Sequence, residues 1–219
     1  MVFVSVVCPT FDRRRWLPFM LHQFLRFDWP RHLKELVVLD DSETSNADLF
    51  AGFEEYNIRY VHARPRMTIG QKRARLNGMA LGDVIVCMDD DDVHHPQRLR
   101  HSVDVLRQSG ASLAGSTSLY VYYQSTDVVR LFGPYHPTHG THGTMAYTKG
   151  YASTHAYDPT VRHAEELAFT KHYTEPMAQL DPRRTILCIA HASNTFDKHQ
   201  AAVIEGSRPT ELTLRDFWT

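Results

Sequence analysis

What most constrains this chain is a recurrence of short apolar runs, rich in valine and each long enough for one strand, separated by segments of helical period. Val2 to Cys8 is continuous rather than alternating, as in strands buried on both faces. Leu36 to Leu39, Ile58 to His62 and Val84 to Met88 repeat the pattern. Between the first two runs, Leu17, Met20, Leu21, Phe24 and Leu25 follow the i, i+3, i+4, i+7, i+8 spacing of an amphipathic helix. Gly70 to Leu81 reads as a second helix ending near Gly82. Pro96 is placed to open a third, with Leu99, Val103 and Leu106 on one face. The alternation predicts an α/β fold, a mostly parallel sheet with helices on both faces.

After Ser109 the rhythm changes. Ser112 to Tyr123 and Val128 to Phe132 read as antiparallel strands, Pro134 to Tyr157 is dense in His, Gly, Thr and Tyr, Ala164 to Tyr173 reads as a helix, and Thr185 to Ala190 as a last strand. The 219 residues suit one domain: a nucleotide-binding half at 1–110, a mixed half at 111–197 and a weakly patterned tail at 198–219. A net charge of −1 gives no broad attraction to nucleic acid or to a membrane surface. Cys8, Cys87 and Cys188 lie in apolar stretches without metal-type spacing, so buried free thiols in a reducing compartment are expected. Polar and basic residues from Asp12 to Arg15 interrupt any leader, and no apolar run approaches the ~20 residues of a membrane helix. The expectation is a soluble cytoplasmic protein.

Asp89, Asp90, Asp91 and Asp92 follow the Val84–Met88 strand directly. Ligands of open α/β sheets sit beyond the carboxyl ends of the strands, and four adjacent carboxylates repel one another unless a cation offsets their charge. Oxygen ligands suit Mg²⁺ or Mn²⁺, either of which can bridge a diphosphate. The competing reading is a solvated acidic loop.

The string Val4 to Arg13 (VSVVCPTFDR) resembles the opening strand and loop of family 2 glycosyltransferases with the GT-A fold. Val37 to Ser42 (VVLDDS) is similar to their second strand, whose terminal aspartates hold the nucleotide base. Ile69 to Arg73 followed by Gly82 to Val86 is similar to the helix leading into their metal strand, and Met88 to Leu99 (MDDDDVHHPQRL) to their aspartate motif. Ala164 to Leu167 (AEEL) resembles the acidic pair that supplies their catalytic base, with Glu where Asp is commoner. Asn194 to Lys198 (NTFDK) more loosely resembles glycosyltransferase domains encoded by large algal viruses, which would place the protein in a host cytoplasm. The resemblance covers roughly residues 2 to 197. It implies an inverting, metal-dependent enzyme moving a sugar from a nucleoside-diphosphate sugar, by resemblance a UDP-sugar, to a glycan or glycoprotein hydroxyl. Whether the domain belongs to a longer protein is left open.

The chemistry assigns roles. A departing nucleoside diphosphate accumulates negative charge, which a metal and preorganised cations stabilise. Asp91, with Asp89 or Asp90, is the metal candidate. Lys72 and Arg73 are expected to contact the nucleotide or its phosphates, the bland alternative being a solvated helix face. Thr10, Phe11 and Asp41 are expected to cradle the base, or, for Thr10 and Asp41, to cap helices. Pro9 and Arg13 complete the donor-binding set, although Arg13 to Arg15 also reads as a solvated run. The resemblance places a metal or diphosphate ligand near His191, and His142, in a turn-rich HGTHGT stretch, is a candidate for lining the donor sugar. Glu166, with Glu165 beside it, is the expected base.

Three rivals share parts of this pattern. A haloacid-dehalogenase-type phosphohydrolase would use Asp89 as nucleophile and Asp91 as acid/base, but three strands precede the motif here, and the Gly82–Asp83 pair lies upstream of it. A sugar-nucleotide pyrophosphorylase needs a glycine-rich loop, and Cys8 to Arg15 has no glycine. A non-catalytic sugar- or metal-binding module has no use for Glu165 and Glu166.

Overall fold

Strands form where the apolar runs are continuous. A computed structural model describes residues 1–192, 194 and 206–217. In chain order the elements are β1 (Val4–Thr10), α1 (Leu17–Arg26), β2 (Lys34–Asp40), β3 (Ile58–His62), α2 (Ile69–Met79), β4 (Val84–Cys87), β5 (Val93–His94), α3 (Arg98–Ser109) and β6 (Leu113–Gly115). They continue with β7 (Leu119–Tyr123), β8 (Val128–Phe132), β9 (Ala146–Thr148), α4 (Lys149–Thr154), α5 (Glu166–Phe169), β10 (Ala178–Gln179), β11 (Ile186–Ala190) and β12 (Arg208–Pro209).

The main sheet runs β10-β6-β9-β4-β1-β2-β3. Strands β4, β1, β2 and β3 are mutually parallel, and β9 inserts antiparallel between β4 and β6. Alternate residues explain the continuous apolar runs. Val4, Val6 and Cys8 pack against Leu17, Met20 and Phe24 of α1 and Leu99 and Val103 of α3. Val7, Val37 and Leu39 pack on the other face, against Leu76 of α2, Tyr147 and Phe169. Each such side chain contributes roughly 1.5–3 kcal/mol by leaving water. Gly82, just before β4, passes so close to β1 that a Cβ there would come 2.5 Å from the Ser5 nitrogen. The expected fold class, α/β with helices on both faces, is what the structure has.

Several boundaries differ for local reasons. The helix expected over Gly70 to Leu81 spans Ile69–Met79, because Thr68 and Gln71 form a reciprocal capping box. Pro96 does not open α3; Gln97 is its N-cap and Arg98 its first residue. The strand expected over Ser112 to Tyr123 is broken. Its first part joins the main sheet as β6 and its second, β7, pairs with β8 in another sheet. That five-stranded sheet, ordered β12-β8-β7-β11-β5, was not anticipated. The helix expected over Ala164 to Tyr173 shrinks to the four residues of α5. Ala164, Lys171, His172 and Tyr173 all take left-handed φ of 48° to 58°, which no α-helix continues through. Thr195 to Lys198 lie outside the described residues. In the tail, Phe217 is buried against the second sheet.

Candidate active site

The strand order reverses at β1, which has β2 on one side and β4 on the other, and ligands of open sheets bind outside such a switch point. The acidic run leaves β4 there, and each aspartate has a different partner. Asp89 takes Arg73 Nη2 at 2.7 Å. Asp90 accepts the Thr10 hydroxyl at 2.6 Å. On Asp91 Oδ2, Arg13 Nη1 (2.9 Å), His191 Nε2 (3.0 Å) and Asn194 Nδ2 (3.3 Å) converge. Asp92 faces the second sheet, accepting the Ile189 backbone N–H at 3.0 Å and the Cys188 thiol at 3.2 Å. The charge is dispersed but not removed: burial, then Asp91, pushes the Asp90 carboxyl up to about 7. On Asp89 burial acts upward, but Arg73 and His142 outweigh it and hold the carboxyl below its ordinary value.

Asp92 explains how His191 reaches the loop. By fastening the run to β11, it delivers the residue just beyond that strand to Asp91. The imidazole is then stacked on Trp16, ring centroids 4.7 Å apart. A cavity of about 390 Å³ lined by Arg15, Trp16, Gln124, His191 and Ala192 opens beside it. A larger one, about 490 Å³ around Ser112, Tyr151 and His155, lies at the amino end of β6, away from the acidic loop. Among the described residues, no three His, Cys, Asp or Glu side chains gather into a metal cluster. The structure brings together two of the three metal candidates, Asp91 and His191, while Asp89 is turned to Arg73. A carboxylate oxygen is a donor that suits Mg²⁺ or Mn²⁺, which take few protein ligands and complete their shell with phosphate and water, and an adjoining imidazole favours Mn²⁺ of the two.

At the end of β1, Lys72 Nζ donates to Asp41 Oδ1 at 2.8 Å and to the Thr10 carbonyl at 3.1 Å. Asp41 Oδ2 accepts the Met67 N–H at 2.6 Å, and the residue is fully enclosed. Lys72 therefore meets Asp41 rather than open space. Neither Thr10 nor Asp41 caps a helix: α2 is capped by Thr68, and α1 has no side-chain cap. Pro9 is buried inside β1 beside Leu39. Phe11 is partly exposed, with the Arg66 guanidinium 3.7 Å over its ring. The basic run is not simply solvated. Arg13 binds Asp91, Arg14 pairs with Asp48, and Arg15 lies 5.3 Å over Trp16.

Arg73 joins the two acidic stretches. Buried, it donates to Asp89 and, through Nε, to Glu165 Oε1 at 3.3 Å. Glu165 is itself buried; burial raises its acid, but His142 and Arg73 pull it below the usual value. Glu166 is the opposite. Half-buried and beside Glu165, its carboxyl is pushed up to about 7, chiefly by burial and then by that neighbour. The pair opens the short helix α5, flanked by left-handed Ala164 and Lys171–Tyr173, each of which costs roughly 1–3 kcal/mol. His142 is buried beneath this network, its Nε2 2.8 Å from the Tyr157 hydroxyl and its Nδ1 4.0 Å from Glu165. Burial, then Arg73, holds the ring neutral with a pKa of about 4. Gly143 lies so close that a Cβ would stand 2.9 Å from Asp89 Oδ2.

Sequence reasoning missed Arg98, Tyr157, Tyr173, Trp16 and Arg66. Fully buried Arg98 donates through Nη2 to the Cys87, Gly143 and Met145 carbonyls, tying the end of β4 to the loop after β8. It is the first residue of α3, next to Leu99 in the chain.

The sequence profile of glycosyl transferase family 2 matches residues 5–160. No curated protein is a significant match. Among solved structures, S. aureus TarS 1-349 in complex with UDP-GlcNAc is 15% identical, with a TM-score of 0.69 over 88% of this chain and 60% of that one. The mannosyltransferase PcManGT from Pyrobaculum calidifontis, in complex with GDP-Man and Mn²⁺, is 13% identical, with a TM-score of 0.69 over 92% of this chain and 60% of that one. The chain thus spans about 60% of the length of either. With the profile matched over most of its length, and the GT-A-like architecture in place, the chain belongs to glycosyl transferase family 2.

Proposed function

We propose that this domain transfers a sugar from a nucleoside-diphosphate donor, a UDP-sugar, to a hydroxyl of a glycan or glycoprotein, with inversion at the anomeric carbon. The observation that carries this reading is the Arg73 bridge. One buried guanidinium holds Asp89 of the metal-side loop and Glu165 of the acidic pair, bringing donor-side and acceptor-side carboxylates to one crevice. Residues 1–110 form the donor half and 111–197 the acceptor half. The complexes of TarS with UDP-GlcNAc and of PcManGT with GDP-Man and Mn²⁺ support a nucleotide-sugar donor and a divalent cation. Family membership sets aside the phosphohydrolase.

Asp91 and His191 are the residues that would hold Mn²⁺ or Mg²⁺, with Asp90 adjoining; when bound, the ion offsets the charge that develops on the leaving diphosphate. Arg13 adds a fixed cation at the same carboxylate. Thr10, Phe11 and Asp41 form the base end of the crevice. Glu166 takes the proton from the acceptor hydroxyl as it attacks opposite the leaving group, since a carboxylate with a pKa near the working pH is an effective base. Glu165, already paired with Arg73, braces the turn. Calorimetry of UDP with Mn²⁺ on the wild type and Asp91→Asn tests the donor side. The variant is expected to keep its fold and lose the metal-assisted part of the affinity; undiminished affinity overturns the assignment, and preference for GDP corrects the donor.

A further inference from the structure

Tyr135 and His139, in the loop after β8, were given no part in donor binding or proton transfer, yet they lead by way of Tyr173 to the segment of Glu166. Tyr173 closes the segment that carries Glu166, where the His172 N–H donates to the Leu167 carbonyl at 2.7 Å and the Tyr173 N–H to the Thr170 hydroxyl at 3.2 Å; its ring lies 4.6 Å from that of His139, and His139 lies 4.8 Å from Tyr135. The row ends in solvent, with Tyr135 42% exposed. Among the described residues the exposed large apolar side chains are Met1, Leu81, Tyr135 and Leu167. Met1 is terminal and Leu81 precedes β4 at the far end of the sheet. The other two belong to the surroundings of Glu166, one at the end of this row and one adjacent in sequence.

The row rests on an anchored loop. Gln179 Nε2 donates to the Pro137 and His139 carbonyls at 2.7 and 3.2 Å, and the Thr138 hydroxyl donates to the Tyr173 carbonyl at 2.5 Å. The Tyr135 N–H is held by the Thr117 carbonyl and hydroxyl at 3.1 and 2.9 Å. Gly133 makes this approach possible: its φ is +73°, and a Cβ would stand 2.3 Å from the Thr117 oxygen. Aromatic faces held in place in this way match the C–H face of a pyranose, while the phenol and imidazole edges offer polar partners to its hydroxyls. A diphosphate would call for cations instead, and none of these three side chains is a fixed cation.

We infer that Tyr135, His139 and Tyr173 form an acceptor subsite that binds a saccharide by stacking and presents its hydroxyl to Glu166. This rests on the glycosyl-transfer reading and narrows it: the acceptor is recognised as sugar, not as peptide. Cellohexaose, chitohexaose and maltohexaose serve as probes, with binding followed by saturation-transfer difference NMR and UDP–Mn²⁺ affinity measured in parallel. At least one hexasaccharide is expected to bind the wild type. Tyr135→Ala should weaken it by about tenfold, Tyr135→Trp should retain it, and both should keep the wild-type UDP affinity. Absence of binding by all three probes, or Tyr135→Ala binding as tightly as wild type, overturns the subsite while leaving the transferase reading intact. Absence of UDP–Mn²⁺ binding by the wild type is the distinct failure of that reading, and it removes the acceptor assignment with it.

Discussion

Asp89–Asp92 and Glu165–Glu166 are both runs of adjacent carboxylates, and the molecule treats them in opposite ways. The first leaves a regular strand, and each member finds its own partner: Arg73, Thr10, the Arg13–His191 pair, and the backbone of β11. The second opens a four-residue helix flanked by left-handed residues and has few partners, so its two acids are driven apart. Glu165 is held low beside Arg73 and His142, and Glu166 is raised to about 7. A strand end distributes charge through register, which suits holding a ligand. A half-buried helix start tunes one group, which suits moving a proton.

The largest expected effect breaks the second region alone. Glu166→Gln should cut sugar transfer by ~10²–10⁴-fold with UDP affinity nearly unchanged, whereas Glu165→Gln should act through the position of Arg73. The carboxylate is the active form, and its fraction grows as pH rises through about 7. Wild-type transfer at saturating donor should therefore fall about tenfold per unit below that point. A pH-independent rate from pH 5 to 8, or near-normal transfer by Glu166→Gln, removes the distinction between the two stretches.

Asp41→Asn probes the donor end. Loss of one charge-assisted hydrogen bond should weaken UDP by about 1–3 kcal/mol and leave pyrophosphate with Mn²⁺ unaffected. Because Asp41 is enclosed and bound to Lys72 and Met67, the base must displace one of these partners. Equal loss for UDP and pyrophosphate means that the residue only supports the crevice.

The same contrast sets what could be read beforehand. The run at Val84–Met88 and the acids after it were legible because a continuous apolar strand has one geometry, and its carboxyl end one direction. The order of motifs carried the family resemblance for the same reason. The half after Ser109 was not legible. Ala164 to Tyr173 has an acceptable helical composition, and nothing in its residue types announces four left-handed conformations. Lys72 and Arg73 are expected from the sequence to meet the nucleotide or its phosphates, but their partners in the structure, Asp41 and Glu165, depend on long-range packing that no local spacing encodes. The second sheet went unseen because β5 is two residues long and β7 was read as continuous with β6.

The smallest effect sharpens this point. Ala164→Gly relieves a left-handed alanine, φ 53°, and should raise stability by about 1 kcal/mol in urea unfolding. A loss of similar size, the usual result of glycine inside a helix, would restore the longer helix expected from the sequence.

The central claim, a base on the acceptor side opposite a metal-held donor, fixes the stereochemistry. The direct measurement is proton NMR of the anomeric coupling in the product formed from an α-configured UDP-sugar with Mn²⁺. The account predicts a β-glycoside, formed by single inversion and lost in Glu166→Gln; an α-glycoside from the wild type contradicts it.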